Sequence, residues 1–193
     1  MVVGMSGSPL LSVVVPVYRV EAYVASCLDS LLSDEGAGDD LEVVAVHDHS
    51  PDSCGEILAW YASRDQRVRV VHLPTNVGLG RARNAGLNAA RGDHVWFVDG
   101  DDWLPAGSVT AVLARLRLHR PDVLIVDHVE TFPDGREAPG TPAGALVGRG
   151  DPGPLADHPH LLSNTRPAAG TAASTAGSAS HPEASSIAVL AVC

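Results

Sequence analysis

Residues 10–32 read LLSVVVPVYRVEAYVASCLDSLL, and this stretch sets the architecture. Leu10 to Val17 is short, apolar and rich in β-branched valine, which predicts a buried strand whose ladder Pro16 should end. Val20, Val24, Cys27, Leu28, Leu31 and Leu32 then recur at the spacing of one helix face. A buried strand feeding directly into an amphipathic helix is half of a parallel crossover unit.

The same unit repeats down the chain. Leu41 to Val46 predicts a second strand, followed by the polar run His47-Asp48-His49-Ser50-Pro51-Asp52. Ser53 with Glu56 three residues on has the pattern of a capping box, and opens a helix carrying Ile57, Leu58 and Tyr61 on one face. Val68 to His72 is a third strand. Leu79 to Ala90 is an alanine-rich helix that Gly92 stops. Val95 to Val98 is a fourth strand, Ser108 to His119 a helix with Val109, Val112, Leu113 and Leu116 on its inner face, and Val123 to Val126 a fifth strand. Strands alternating with helices predict an α/β domain, doubly wound and Rossmann-like, with a mostly parallel sheet covered on both faces. Ligands of such sheets sit beyond the carboxyl ends of the strands. Three segments therefore hold the candidate functional residues: Pro16–Arg19, His47–Asp52 and Asp99–Trp103.

Composition narrows the chemistry. The chain has 193 residues, 13 basic against 23 acidic, for a formal net charge of −10. No general nucleic-acid binder is expected from so acidic a chain, because phosphate neutralisation needs a basic surface. Every basic residue is arginine. The absence of lysine excludes a Walker P-loop and a Schiff base. Cys27, Cys54 and Cys193 form no C-x-x-C pair, which predicts neither a disulfide framework nor a zinc site and suits a reducing cytoplasm. No leader is visible in Met1–Pro9, and no apolar run approaches the roughly 20 residues of a membrane span. Met1–Pro9 is expected to be a flexible N-terminus and residues 10–132 the folded domain. Residues 133–193, crowded with Gly, Pro, Ala and Ser, are expected to form a largely disordered tail.

Asp99-Gly100-Asp101-Asp102 places three carboxylates in four residues directly after a strand. Like charges this close repel, and a divalent cation among them relieves the repulsion. An Asp-Gly turn opening a helix is the plain alternative; the position at the sheet's carboxyl edge favours the functional reading. Asp48 reads either as a turn or cap residue or as an acceptor for a ring N–H of a nucleotide base. His47 and His49 read as polar turn residues rather than a metal pair. Tyr18 reads as a half-buried tyrosine or a stacking platform for a base, and Trp103 as a packing anchor. Asn76–Gly86 is a glycine-containing loop opening a helix, but Arg83 breaks the dinucleotide fingerprint. It is either an ordinary helix start or a set of N–H groups and an arginine aimed at phosphate.

Taken together, Ser12–Tyr18, Val20–Val24, Cys27–Leu32, Asp48–Asp52, Arg67–His72, Asn76–Gly86 and Phe97–Pro105 resemble the N-terminal, donor-binding part of a family 2 glycosyltransferase of the GT-A fold. The similarity covers about residues 10 to 130 and is nearest to bacterial enzymes of cell-surface glycans and teichoic-acid-like polymers. The resemblance implies a metal-dependent, inverting transfer from a nucleotide sugar, UDP-linked most often, to a glycan or polyol-phosphate acceptor. It implies that Pro16 and Tyr18 line the base pocket and that Asp48 accepts from uracil N3–H. It places Arg83 toward the diphosphate end and Asp99 near the ribose, with Asp101 and Asp102 holding Mn²⁺ or Mg²⁺. A cytoplasmic protein is expected; the basic, leucine-bearing helix around Leu113 to Arg120 reads as core packing with a solvated basic face, with contact to anionic lipid at the inner face of the cell membrane as the alternative.

The departures from the family pattern carry expectations of their own. His47 stands where an acid is usual and His49 where glycine is usual, which is expected to strain that turn. Arg19 for Asn and Gly100 for Ser read as tolerable. No general base can be nominated: Asp127 and Glu130 lie too close to the fifth strand, and Glu183 sits in low-complexity sequence. The acceptor half reads as missing, and the tail has the composition of a shifted reading frame of GC-rich DNA. A non-catalytic nucleotide-binding module is the alternative, and a nucleotidyltransferase the third reading.

Overall fold

A computed structural model describes residues 8–126, 129–132 and 134–139, and the strand residues 184–185 and 189–192. Four parallel strands form its centre: β1 (Leu11–Val17), β2 (Leu41–His47), β3 (Val68–His72) and β4 (His94–Phe97). Between them run α1 (Val24–Leu32), α2 (Cys54–Ala62) and α3 (Leu79–Ala89), and α4 (Ser108–His119) follows β4. The expected α/β architecture with a mostly parallel sheet stands.

The fifth strand differs in its pairing. β5 (Leu124–Ile125) does not pair with β4. The sheet order is β3-β2-β1-β4-β9-β5, where β9 (Val189–Val192) lies antiparallel between β4 and β5. A second sheet, β7-β6-β8, joins β6 (Val129–Thr131), β7 (Glu137–Pro139) and β8 (Ala184–Ser185). Three strands therefore fall within the stretch expected to be unstructured. The rest of that expectation, and the flexible N-terminus up to residue 7, concern residues outside the described ones.

The alternation of the strands sorts the core into two layers. Val13, Val15 and Val17 of β1 and Val43 and Ala45 of β2 pack with α1, α2 and α4. Val14, Val44 and Val46 face the other way and pack under α3. That helix lies close to the sheet because of Gly86. A Cβ there would sit 2.2 Å from Val14 Cγ1, far inside contact distance.

Pro16 does not end its ladder. β1 stays in register with β2 through Val17↔His47. Val14 turns its backbone toward β4, whose pairing with β1 stops at Val14↔Phe97. Backbone polar groups alternate sides along a strand, so the N–H that proline lacks would face the side where the partner has already ended.

The capping box also does not form. Ser53 makes no side-chain cap to α2. Its own N–H donates to Glu21 Oε2 at 3.0 Å, so a residue from the loop after β1 does what Glu56 was expected to do.

Candidate functional site

The carboxyl ends of β1, β2 and β4 bring the three predicted segments together. Asp48 N–H donates to Val17 O at 3.0 Å, and Gly100 packs so tightly on the β1 end that a Cβ would lie 3.1 Å from Pro16 O. Pro16 is buried in β1, while Tyr18 just beyond it is 39% exposed, leaving its ring available at the edge of the sheet. The Arg19 guanidinium lies 5.4 Å from the centroid of that ring.

Two loops at this edge are laced to each other. Arg19 N–H donates to Ser50 Oγ at 2.7 Å, and Ser50 Oγ–H donates to Asp52 Oδ1 at 2.6 Å. Glu21 N–H donates to Asp52 Oδ2, while Glu21 Oε2 accepts from Ser53 N–H. Burial pushes the Asp52 carboxyl up, but the hydrogen bonds from the Ser50 hydroxyl, the Cys54 thiol and amide and the Glu21 amide outweigh it and hold the carboxyl below its ordinary range. The lacing fixes two left-handed residues: Arg19 at φ 56° and His49 at φ 54°. The expected strain at His49 is present. Arg19 carries it as well, contrary to the reading of that position as tolerable, because a side chain in left-handed backbone crowds the following carbonyl.

Asp48 is 2% exposed. Its Oδ1 accepts from Val77 N–H at 2.8 Å and its Oδ2 from Gly78 N–H at 3.0 Å. His47, one residue earlier, points to the α1/α2 side, its ring centroid 5.3 Å from that of His72 on β3. Burial and the neighbouring His72 and His49 hold its imidazole below the ordinary value, so it is neutral at pH 7. The first acid of the family pattern is thus replaced by an uncharged ring.

At the end of β4, Asp99 Oδ1 accepts from Arg83 Nη2 at 2.7 Å, joining α3 to the acidic loop. Beneath it the buried Cys27 thiol donates to Asp99 O at 3.6 Å. Asp102 is 3% exposed, and its carboxyl is pushed up to about 8, by burial first and then by Asp101 and Asp99, with Arg83 opposing. Trp103, read as a packing anchor, is 44% exposed. The Arg83–Asp99 ion pair and the buried Asp102 make this loop a partly neutralised acidic cluster rather than a fully solvated turn.

Among the described residues, no three His, Cys, Asp or Glu side chains are grouped to hold a metal ion. Among the described residues a complete protein cage is therefore absent. Burial beside Asp101 and Asp99 raises the Asp102 carboxyl, a shift that a nearby cation would oppose, and Mg²⁺-type sites commonly take one or two carboxylates and complete their shell with substrate phosphate and water. Asp101 and Asp102 fit that partial donor set. Of the acids considered as a general base, Asp127 and Glu183 lie outside the described residues, and Glu130 is described only as backbone.

Sequence reading missed the Glu21–Ser50–Asp52 lacing and the occupancy of Asp48. The first had a signal in the Ser-x-Asp spacing of residues 50–52, but its partners lie 31 and 32 residues away.

Comparison with known proteins bears on this edge. The profile described as Glycosyl transferase family 2 matches residues 12–162. The uncharacterized glycosyltransferase EpsJ of Bacillus subtilis is 41% identical over 116 residues, which is 60% of this chain and 33% of EpsJ. The poly(ribitol-phosphate) beta-N-acetylglucosaminyltransferase TarS of Staphylococcus aureus is 35% identical over 60% of this chain and 20% of its own length. The crystal structure of TarS residues 1–349 in complex with UDP-GlcNAc superposes with a TM-score of 0.56 at 35% identity, covering 60% of this chain and 33% of that one. The mannosyltransferase PcManGT of Pyrobaculum calidifontis, in complex with GDP-Man and Mn²⁺, shares the fold, with a TM-score of 0.55 at 24% identity over 62% of this chain and 36% of its own. The chain thus spans about a third or less of the length of these curated relatives.

Proposed function

We propose, from the premise that the chain belongs to glycosyl transferase family 2, that its carboxyl edge binds a nucleotide-sugar donor and that the chain takes part in sugar transfer to a cell-surface acceptor. The observation that carries this reading is the convergence of Tyr18, Asp48, Arg83 and the Asp99–Asp102 loop at one sheet edge. UDP-GlcNAc in TarS supports a UDP-linked donor, and the poly(ribitol-phosphate) in the name of TarS supports a polyol-phosphate or glycan acceptor.

In this reading Pro16 and Tyr18 frame the base, with the exposed Tyr18 ring as its stacking face. Asp48 lies at the same end of the sheet. Asp99, held by Arg83, stands toward the ribose, and Arg83 offers its guanidinium to the diphosphate. Asp101 and Asp102 would hold Mn²⁺ or Mg²⁺. When bound, that ion supplies charge neutralisation for the departing nucleoside diphosphate. The acceptor hydroxyl attacks the anomeric carbon from the face opposite the leaving group, so configuration inverts, and a carboxylate base takes its proton.

Release of UDP from UDP-GlcNAc and other UDP-sugars, assayed with Mn²⁺ and with chelator, tests this reading. Sugar-dependent UDP release that chelator abolishes supports it. Turnover unaffected by chelator and by Asp101→Ala removes the metal from the account.

The neutral His47 in place of an acid favours a second reading, a nucleotide-binding module without turnover. Any measurable transfer or donor hydrolysis by the chain excludes it.

A further inference from the structure

We infer that Ser30 on α1 serves the donor site as a positioning residue that keeps the Asp99–Asp102 loop in its cation-ready shape. This rests on the donor-site reading above. The Leu104 N–H, at the exit of the acidic loop, donates to Ser30 Oγ at 3.0 Å, across 74 residues of sequence. The Ser30 hydroxyl in turn donates to Cys27 O, one turn back in α1, at 2.7 Å. At the entry of the loop the Cys27 thiol donates to Asp99 O at 3.6 Å, and the same carbonyl accepts from Asp102 N–H at 3.0 Å. One helix therefore holds both ends of the segment that carries Asp101 and Asp102. Between those ends Gly100 is packed so closely that a Cβ would lie 3.1 Å from both Pro16 O and Val20 Cγ2.

The loop needs this hold because its own charges oppose it. Three aspartates within four residues repel one another until a cation sits among them, and the Arg83 guanidinium pairs with only one of them, Asp99. A thiol is a weak donor, so the Cys27 end is the looser of the two and the Ser30 end the firmer. Among the described residues, no other acceptor takes the Leu104 amide. Without the hydroxyl that amide is unpaired, and the cation-free loop spreads to solvate both the amide and the carboxylates. The cation then meets a smaller fraction of competent loops, and its apparent affinity falls by that fraction. The helix itself does not depend on the hydroxyl. Alanine is the better helix former, and a serine bonded back along its own helix adds nothing to it. Ser33, one turn on, is the internal control. Its hydroxyl donates to Ser30 O at 3.4 Å, the same kind of bond back along α1, and makes no bond to the acidic loop.

Calorimetric titration of the full chain with UDP, repeated over a series of free Mn²⁺ concentrations, tests the role of Ser30. It is read at a temperature where thermal melts show each variant folded, for the unmodified chain, Ser30→Ala and Ser33→Ala. A positioning role predicts that Ser30→Ala raises the Mn²⁺ concentration giving half of the cation's effect on UDP binding by about fivefold, the equivalent of one net hydrogen bond. It predicts that the UDP Kd at saturating Mn²⁺ stays that of the unmodified chain, because the bound cation reassembles the loop. Ser33→Ala should stay within about twofold of the unmodified chain on both counts. A lowered melting midpoint with an unchanged Mn²⁺ requirement makes Ser30 merely structural and overturns the inference. A UDP affinity lowered equally at every Mn²⁺ concentration overturns it too, because the defect then lies outside the loop that takes the cation. So does a Mn²⁺ requirement raised as much by Ser33→Ala, since the effect then belongs to the helix. If Ser30→Ala does not fold, Ser30→Cys, whose sulfur is a weaker acceptor at the same place, is read by the same criteria, with a rise of at least about twofold required. An unmodified chain that binds no UDP removes the donor reading and this inference together. UDP binding that needs no Mn²⁺ removes the cation and this inference but leaves the nucleotide site. Mn²⁺-assisted UDP binding that Ser30→Ala leaves unchanged removes only the inference.

Discussion

The two ends of the sheet each bury a carboxylate, and they treat it oppositely. At the amino end Glu42 is 2% exposed and accepts from Ser12 Oγ, the Arg91 backbone and guanidinium, and Arg69. Burial pushes its carboxyl up, but these donors outweigh burial and hold it below its ordinary value. At the carboxyl end Asp102 is 3% exposed, has two aspartates beside it and is pushed up to about 8. Equal burial with opposite titration separates a residue that secures the fold from one that the fold holds at a cost. The amino end is closed and self-sufficient. The carboxyl end is left short of positive charge, which a divalent cation can supply.

Glu42→Gln should break the comparison most visibly. It strands Arg69, Arg91 and the Ser12 hydroxyl around a neutral amide. Breaking a buried ion pair costs about 3–5 kcal/mol, and the partial exposure of both arginines reduces this to about 2–3 kcal/mol. A urea midpoint well below that of the unmodified chain, with the slope unchanged, is the expected result.

Asp102→Asn should do the reverse. Without divalent cation it should stabilise the chain at pH 8 by at least about 1 kcal/mol, since each pKa unit of a raised carboxyl is worth about 1.4 kcal/mol. The pH profiles sharpen the contrast. Asp102 titrates at about 8 folded and near 3.8 unfolded, so the unfolded chain binds fewer protons between those values and stability falls as pH rises from about 4 to 8. Glu42 has its folded value lowered, so its contribution is present above the ordinary 4.5 and is lost as pH falls below it. Melting midpoints from pH 4 to 9 should show the upper decline, and Asp102→Asn should flatten it. A decline of the same size in that variant contradicts the assignment.

The smallest effect belongs to the laced loops. His49→Gly removes a left-handed side chain at φ 54° and should gain about 0.5–1 kcal/mol, less the extra freedom glycine gives the unfolded chain. A melting midpoint unchanged or lowered would show that His49 makes a compensating contact.

Much of this was legible in the sequence because periodicity is local. The valine runs, the helix faces and the acid-rich turn after β4 follow from spacing within a dozen residues. The hydrogen bonds of Asp48 were not legible, because its partners Val77 and Gly78 lie 29 and 30 residues on and depend on where β3 returns the chain. Glu21 takes the place of Glu56 at Ser53 for the same reason: it lies 32 residues back in the chain. The place of β9 between β4 and β5 was hidden more deeply still. A four-residue apolar run carries no mark of the strands it joins.

In the proposed function, Asp101 and Asp102 organise a cation-assisted nucleotide site at the carboxyl edge. A thermal melt of the full chain with UDP, CDP and GDP, each with and without Mn²⁺, tests it most directly. The expected result is a raised midpoint with UDP that requires Mn²⁺ and vanishes in Asp101→Ala; at a hundredfold excess over Kd the gain is about 2.7 kcal/mol. A cooperative melt that none of the nucleotides moves, with or without the ion, would contradict it.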